Sequence, residues 1–258
     1  MSPVATIDSN WFAAPKRLSL SGGAVHVWRA SLDESPSQLA LLRNTLDDDE
    51  RSRADHFYFN RDRERFVVGR GVLRALLGRY LDRSPESLSF SYSAHRKPFL
   101  TSESRADALR FNLSHSHGMA LYAITRGREL GVDLELIRRD LEAEQIAERF
   151  FSPSEIGTLR SLPPALRKSA FFLCWTRKEA YIKARGEGLS MPLDRFNVSL
   201  IPGEPAALLS TQPDPDEASG WSLMNLTPAA GYAAALAIKG RDWTLSCWQW
   251  PRSSMIEC

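Results

Sequence analysis

Eight residues recur in related form in the two halves of this chain. Glu64-Arg-Phe-Val-Val-Gly-Arg-Gly71 and Glu179-Ala-Tyr-Ile-Lys-Ala-Arg-Gly186 share the order Glu, any, aromatic, β-branched, any, small, Arg, Gly. Both stretches fall on predicted helices. Duplication of one α+β unit explains the echo and divides the chain near residue 128, into 1–128 and 129–258. A chance match over eight residues is the competing reading. At 258 residues the chain suits one large domain or two small ones. It can bury a sizeable core without disulfide or metal staples.

Charge narrows the function. Lys plus Arg is 33 and Asp plus Glu is 31, a net charge of +2. That balance excludes a general nucleic-acid binder, so any basic function is local. The cysteines, Cys174, Cys247 and Cys258, are too few and too scattered for a disulfide framework or a zinc pattern. No apolar run approaches the roughly 20 residues of a membrane span. The first 20 residues lack a basic-then-apolar signal layout. The expected location is the cytoplasm, with no membrane and no nucleic-acid partner.

Between Arg51 and Arg83 there are nine arginines, no lysine and four acids. Phe66, Leu73, Leu76, Leu77 and Tyr80 recur there at helical spacing, which predicts an amphipathic helix ending before Pro85. The planar guanidinium suits phosphate oxygens; a solvated helix face is the plainer use. Strands are predicted at Ala24–Arg29, Leu88–Tyr92, Leu109–Leu113, Met119–Thr125 and Leu130–Ile137, and helices at Leu39–Leu46 and Asp140–Phe150. Ser152-Pro-Ser-Glu155 reads as a helix start with cap, proline and capping-box glutamate. A long helix after Pro164 should stop at Gly186. The tail beyond Arg241, with Trp243, Trp248 and Trp250, is assigned to packing against the second half.

Three constellations carry chemistry. In Leu130-Gly-Val-Asp-Leu-Glu-Leu136 the apolar set faces one side of a strand and Asp133 and Glu135 the other. Carboxylates that close repel unless a cation sits between them, and magnesium suits carboxylates plus substrate phosphates. A solvent-facing strand side is the alternative. In Trp175-Thr-Arg-Lys-Glu-Ala-Tyr-Ile-Lys183, Glu179 falls in the helical arc of Phe172, Trp175 and Ile182. A carboxylate there needs a partner or a metal; an ordinary Glu179–Lys183 surface pair is the alternative. Asn112-Leu-Ser-His-Ser-His117, at the end of a predicted strand, could hold a phosphate or form a simple turn. Zinc needs more ligands than His115 and His117 offer. There is no G-x-S-x-G elbow, Walker loop or G-x-G-x-x-G.

In this order and spacing the segments resemble the Sfp-type 4'-phosphopantetheinyl transferases. The matching pieces are FNLSHS (Phe111 to Ser116), GVDLE (Gly131 to Glu135), FFSPSE (Phe150 to Glu155) and WTRKEAYIKARGEGL (Trp175 to Leu189). Weaker pieces are RKP (Arg96 to Pro98) and FYFNRDRERF (Phe57 to Phe66). The W-x-x-K-E-A form is similar to one branch of the family. The resemblance implies an α+β pseudo-dimer of two similar halves with the active site in the cleft between them. It implies transfer of the 4'-phosphopantetheine arm of coenzyme A to a serine of an apo acyl or peptidyl carrier protein, releasing 3',5'-ADP, with Mg²⁺ or Mn²⁺. Asp133, Glu135 and Glu179 match the family's metal-binding acids, and Lys183 the lysine near the reacting phosphate. Ser114 and His115 match the pair on coenzyme A phosphates; Lys97 and Arg53 match further phosphate contacts. Arg96 stands where the family often has glycine, and Arg53 where it often has lysine.

The expected mechanism follows from that match. The arginine-rich helix, Lys97 and His115 hold the phosphates, and Lys183 stabilises charge as the phosphate bond breaks. Glu179 takes the serine proton, the alternative being a base generated at the metal. Two other readings use the same residues: a Mg²⁺-dependent phosphohydrolase of a nucleotide diphosphate, and a non-catalytic module binding coenzyme A or a carrier. A cleft built within one chain makes a monomer the expected state.

Overall fold

The computed structural model describes residues 10–101, 107–138 and 140–251, and the backbone alone of Leu189. Cys258 and the first nine residues of the N-terminal stretch lie outside the described residues. In chain order the elements are β1 (Phe12–Ala13), β2 (Ala24–Ser31), α1 (Pro36–Asn44), α2 (Asp48–Asp55), α3 (Asn60–Leu81), β3 (Phe90–Tyr92), β4 (Pro98–Leu100), β5 (Leu109–Ser116), β6 (Met119–Arg126), β7 (Leu130–Leu136), α4 (Ala143–Phe150), α5 (Pro153–Ser161), α6 (Pro164–Arg185), β8 (Phe196–Val198), β9 (Leu208–Thr211), β10 (Trp221–Leu226), β11 (Tyr232–Lys239) and β12 (Thr244–Gln249).

Alternation along the strands sets the layering. One sheet has the order β1-β12-β2-β6-β5 and another β10-β11-β7. Val25, Val27, Leu121 and Ala123 of the first meet Leu130, Val132, Leu134, Leu236 and Ile238 of the second in a core between the sheets. The alternate residues point outward. Trp28, Tyr122 and Ile124 pack under α3, whose Val68, Val72, Leu73 and Leu76 cover them. Ala233, Ala235 and Ala237 lie beneath α6 with Phe171, Phe172 and Tyr181. The result is a helix, two facing sheets and a helix: an α+β fold of two halves.

The sequence expectations differ from this in three places. The arginine-rich segment is two helices, broken at Phe57-Tyr58-Phe59. Three successive aromatics would straddle all sides of a continuous helix. The break lets α2 fold back so that Ala54 and Val67 share a small core with Leu46. Strand β5 runs on to Ser116, so the Asn112–Ser116 motif lies along a strand and the turn is His117-Gly118. The C-terminal strand β12 pairs in parallel with β2, and Trp250 is buried with Trp28 in the first-sheet core. Trp248 and Trp250 therefore pack on the first half, while Trp243 packs against the core between the two sheets.

Helix boundaries follow local rules. Ser152 and Glu155 form a reciprocal capping box with Pro153 at the first helical position. Gly186, at φ +73°, ends α6 in the left-handed conformation that glycine tolerates.

Candidate active site

The site lies where β5, β7 and α6 meet. Strand β7 is an edge of its sheet, and side chains of β5 reach its free amides. Asn112 Oδ1 accepts from Val132 N at 2.8 Å, Ser114 Oγ from Leu134 N at 3.3 Å, and Ser116 Oγ from Leu136 N at 3.1 Å. Buried amides at a sheet edge need such partners. Gly131 does the same work toward α6: a Cβ there would collide with the backbone at Ala180 and Ala184. Its absence lets α6 lie directly on β7 and brings Glu179 and Lys183 to the acids.

Asp133, Ser114 and Lys183 form a closed triangle. Lys183 Nζ is 2.6 Å from Asp133 Oδ1 and donates to Ser114 Oγ at 2.9 Å; Ser114 Oγ donates to Asp133 Oδ1 at 3.0 Å. Asp133 is buried, and its Oδ2 has no hydrogen-bond partner. Beside it, Ser116 Oγ donates to Glu135 Oε2 at 3.0 Å. Burial pushes the Glu135 carboxyl up, helped by the charge of Asp133, against the Ser116 hydrogen bond, Lys183 and Arg138. Glu179 is pushed up to about 7, first by burial and then by Asp133, with Glu135 adding and Lys183 opposing. The sequence placed Glu179 in an apolar stripe. Phe172 and Ile182 are buried as expected, while Trp175 is half-buried and Glu179 is held in the field of two other carboxylates.

The donor set fits a divalent cation. Three carboxylates share one field, two with raised pKa values, and one buried oxygen is orphaned, a costly arrangement without positive charge. Among the described residues no three His, Cys, Asp or Glu side chains already converge on one point. The Lys183 ammonium supplies the positive charge to Asp133 here.

The odd-numbered residues at the end of β5 and in the turn after it face the other way. His115 and His117 line a cavity of about 550 Å³ together with Arg53, Arg65, Arg70 and Arg96. Burial lowers the pKa of His115, reinforced by Lys183 and Arg65. Arg53 sits over the Phe66 ring at 5.3 Å. Arg96 has φ +61°, the left-handed region that favours glycine, which matches the glycine often found there in the resembling family. Lys97 is placed differently from Arg53, Ser114 and His115. Its ammonium donates to Lys183 O at 2.6 Å, Leu130 O at 3.2 Å and Ala184 O at 3.3 Å, and burial lowers its pKa to about 8. It ties α6 to β7 and does not line the cavity. Sequence reasoning passed over Arg65, Arg70 and Ser116 as individual residues and weighed His117 only as a zinc ligand; the arginine excess and the N-x-S-x-S alternation were the signals for the first three.

Comparison with known proteins covers the same two halves. The family model described as 4'-phosphopantetheinyl transferase superfamily matches residues 129–237, and that described as 4'-phosphopantetheinyl transferase, N-terminal, matches residues 28–126. The 4'-phosphopantetheinyl transferase HetI of Nostoc sp. (strain PCC 7120) is 41% identical over 244 residues, covering 95% of this chain and 100% of that protein. The 4'-phosphopantetheinyl transferase Sfp of Bacillus subtilis (strain 168) is 30% identical over 152 residues, covering 59% of this chain and 65% of that protein. The solved holo-(acyl-carrier-protein) synthase of Helicobacter pylori in complex with coenzyme A matches 43% of this chain and 99% of its own, at 22% identity and a TM-score of 0.33. The acids of β7 and α6 fall inside one matched region and the arginine-lined cavity largely inside the other, and on these matches the chain belongs to the 4'-phosphopantetheinyl transferase superfamily, enzymes that transfer phosphopantetheine to carrier proteins.

Proposed function

We propose that the substrate is coenzyme A and that its diphosphate is attacked at the Asp133–Lys183–Ser114 triangle. The observation that carries this reading is the orphaned, buried Asp133 Oδ2, held by Ser114, the residue next to His115 of the arginine-lined cavity. The cavity takes the nucleotide end, with Arg53 and His115 on phosphate oxygens and Ser114 at the diphosphate. Lys97 acts on the phosphates indirectly, by fixing the end of α6 that carries Lys183.

Asp133, Glu135 and Glu179 would hold Mg²⁺ or Mn²⁺. When bound, the metal neutralises negative charge on the diphosphate. The carrier serine hydroxyl attacks the phosphorus attached to the pantetheine arm. Its oxygen forms the new P–O bond, and the bond to the 3',5'-ADP oxygen breaks. Glu179 accepts the serine proton, directly or through a water. Lys183 stabilises the charge that grows on the leaving phosphate.

The halves 1–128 and 129–258 would then have distinct tasks, nucleotide binding and metal chemistry; β12 crosses back to the first sheet. Both described cysteines, Cys174 and Cys247, are free and buried, which suits the reducing cytoplasm. No described helix is long and apolar enough to cross a membrane. The site draws on both halves of one chain, which suits a monomer.

The test is intact-mass spectrometry of apo carrier proteins incubated with the protein, coenzyme A and Mg²⁺, with and without EDTA. A carrier serine should gain one phosphopantetheine, and EDTA should abolish the gain. Transfer that survives EDTA would remove the metal from the mechanism. Coenzyme A cleaved at full rate with every carrier unmodified would favour the hydrolase.

A further inference from the structure

We infer that Ser116 is a positioning residue for Glu135: a backbone amide of the neighbouring strand fixes where its hydroxyl proton points, and that proton holds the carboxylate for the metal. The inference rests on the metal reading above.

The geometry is a repeating ladder. Each rung is a β5 side chain that accepts an amide of β7 and lies beside the side chain one residue earlier on β7. A serine hydroxyl has one proton and two lone pairs. In Ser116 the Leu136 N–H occupies a lone pair at 3.1 Å. The proton is thereby directed to Glu135 Oε2, 3.0 Å away. Its remaining contact is the 3.4 Å approach of His117 Nδ1. Ser114 repeats the pattern one rung down, with the Leu134 amide on one side and Asp133 Oδ1 on the other. Asp133 is also gripped by Lys183.

The ladder contains its own control. The third rung, Asn112, accepts the Val132 amide at 2.8 Å, and the preceding β7 residue there is Gly131. Asn112 therefore supports the same strand edge with no acid to orient. A purely structural role predicts equal consequences at Asn112 and Ser116. A positioning role separates them.

The experiment measures Mn²⁺ binding to the purified full chain by electron paramagnetic resonance, with thermal unfolding alongside. Glu135→Ala sets the scale for losing the ligand. Ser116→Ala should weaken Mn²⁺ binding by roughly tenfold, the usual cost of removing a group that orients a metal ligand. Ser116→Thr, which keeps the hydroxyl, should bind as wild type. Asn112→Ala should lower the melting temperature and leave Mn²⁺ affinity unchanged. Should Ser116→Ala not fold, Ser116→Cys exchanges a strong donor for a weak one at similar volume and should show the same loss. Wild-type Mn²⁺ affinity in the Ser116 variants, with Glu135→Ala weakened, overturns the inference. So does an equal loss at Asn112. Unchanged binding in Glu135→Ala would instead overturn the metal reading on which the inference stands. As a second readout, Ser116→Ala should raise the Mg²⁺ concentration needed for half-maximal transfer and leave the KM for coenzyme A unchanged.

Discussion

Helices α3 and α6 each span 22 residues, each covers the outer face of one sheet, and each carries the repeated octet. They also share an anchoring device. In both, a capping-box glutamate on a preceding helix receives buried cations from the long helix. Glu50 takes Arg70 Nε at 2.7 Å and Arg74 Nε at 2.6 Å. Glu155 takes Lys178 Nζ at 2.8 Å. The cations are not at matching octet positions: Arg70 is within the octet and Lys178 just precedes it. The octet's first residue shows the larger difference. Glu64 is exposed, whereas Glu179 lies in the field of Asp133 and Glu135. The closing glycine differs too: Gly71 lets α3 approach Leu42 mid-helix, while Gly186 is a left-handed cap. The octet marks a common scaffold. What makes one copy an active site is the strand beneath it.

The sharpest test of that contrast compares equivalent glutamates. Glu179→Gln should lower kcat by about 10²–10⁴-fold, the usual contribution of a positioned general base. Glu64→Gln should leave transfer near wild type in the same carrier assay. Equal losses would make the octet glutamate a scaffold residue in both halves and end its assignment as a base. The anchors come next. Lys178→Met, and the double variant Arg70→Met with Arg74→Met, each leave a buried carboxylate without its cation and should each cost about 3–5 kcal/mol in urea unfolding. Pairing Lys178→Met with Glu155→Gln should recover part of the loss. A cost under 1 kcal/mol in either variant would show that the two anchors are not equivalent. Gly131→Ala should follow, costing about 3 kcal/mol or more, because its Cβ meets helix backbone that cannot rotate away. Gly71→Ala meets chiefly the Leu42 side chain and should cost less. The reverse order would mean that α6 can lift from β7 without penalty.

The residues that lie on periodic elements were legible from sequence. The Leu130–Leu136 alternation gave the inward apolar face and the outward acids, and Ser152–Glu155 and Gly186 bounded the helices where the caps stand. The α+β class and the family followed from motifs whose order and spacing are specific. Features set by long-range pairing were not legible. Nothing in Thr244–Gln249 says that it must cross to β2, because edge complementarity lives in the other sheet. Lys97 reads as a free cation in R-K-P, yet three carbonyls at the end of α6 and on β7 capture it. The apolar-stripe argument identified Glu179 as unusual for a reason that was only partly right, since periodicity on one helix cannot see the carboxylates supplied by another element.

The smallest expected effect separates the halves by the sign of their pH dependence. In the first half, Tyr80 Oη accepts the Trp28 indole N–H at 2.9 Å and contacts His26 Nδ1 at 2.7 Å. Burial lowers the pKa of His26 from the ordinary 6.5 to about 4. The unfolded chain therefore takes up this proton first, and stability falls as pH drops from 6.5 to about 4. Glu179 works in the opposite direction. Its folded pKa is raised from 4.5 to about 7, so the metal-free fold is favoured below 4.5 and loses that advantage as pH rises to about 7. The two slopes oppose each other between about pH 4.5 and 6.5, with the raised Glu135 carboxyl adding to the Glu179 side, so the wild-type melting temperature in EDTA should vary less with pH there than either slope alone. Glu179→Gln should uncover a melting temperature that rises with pH across this window, and His26→Gln one that falls. Parallel curves for the two variants would show that neither group carries the linkage, whereas crossing curves would locate acid sensitivity in the first half and the burden of the acidic site in the second.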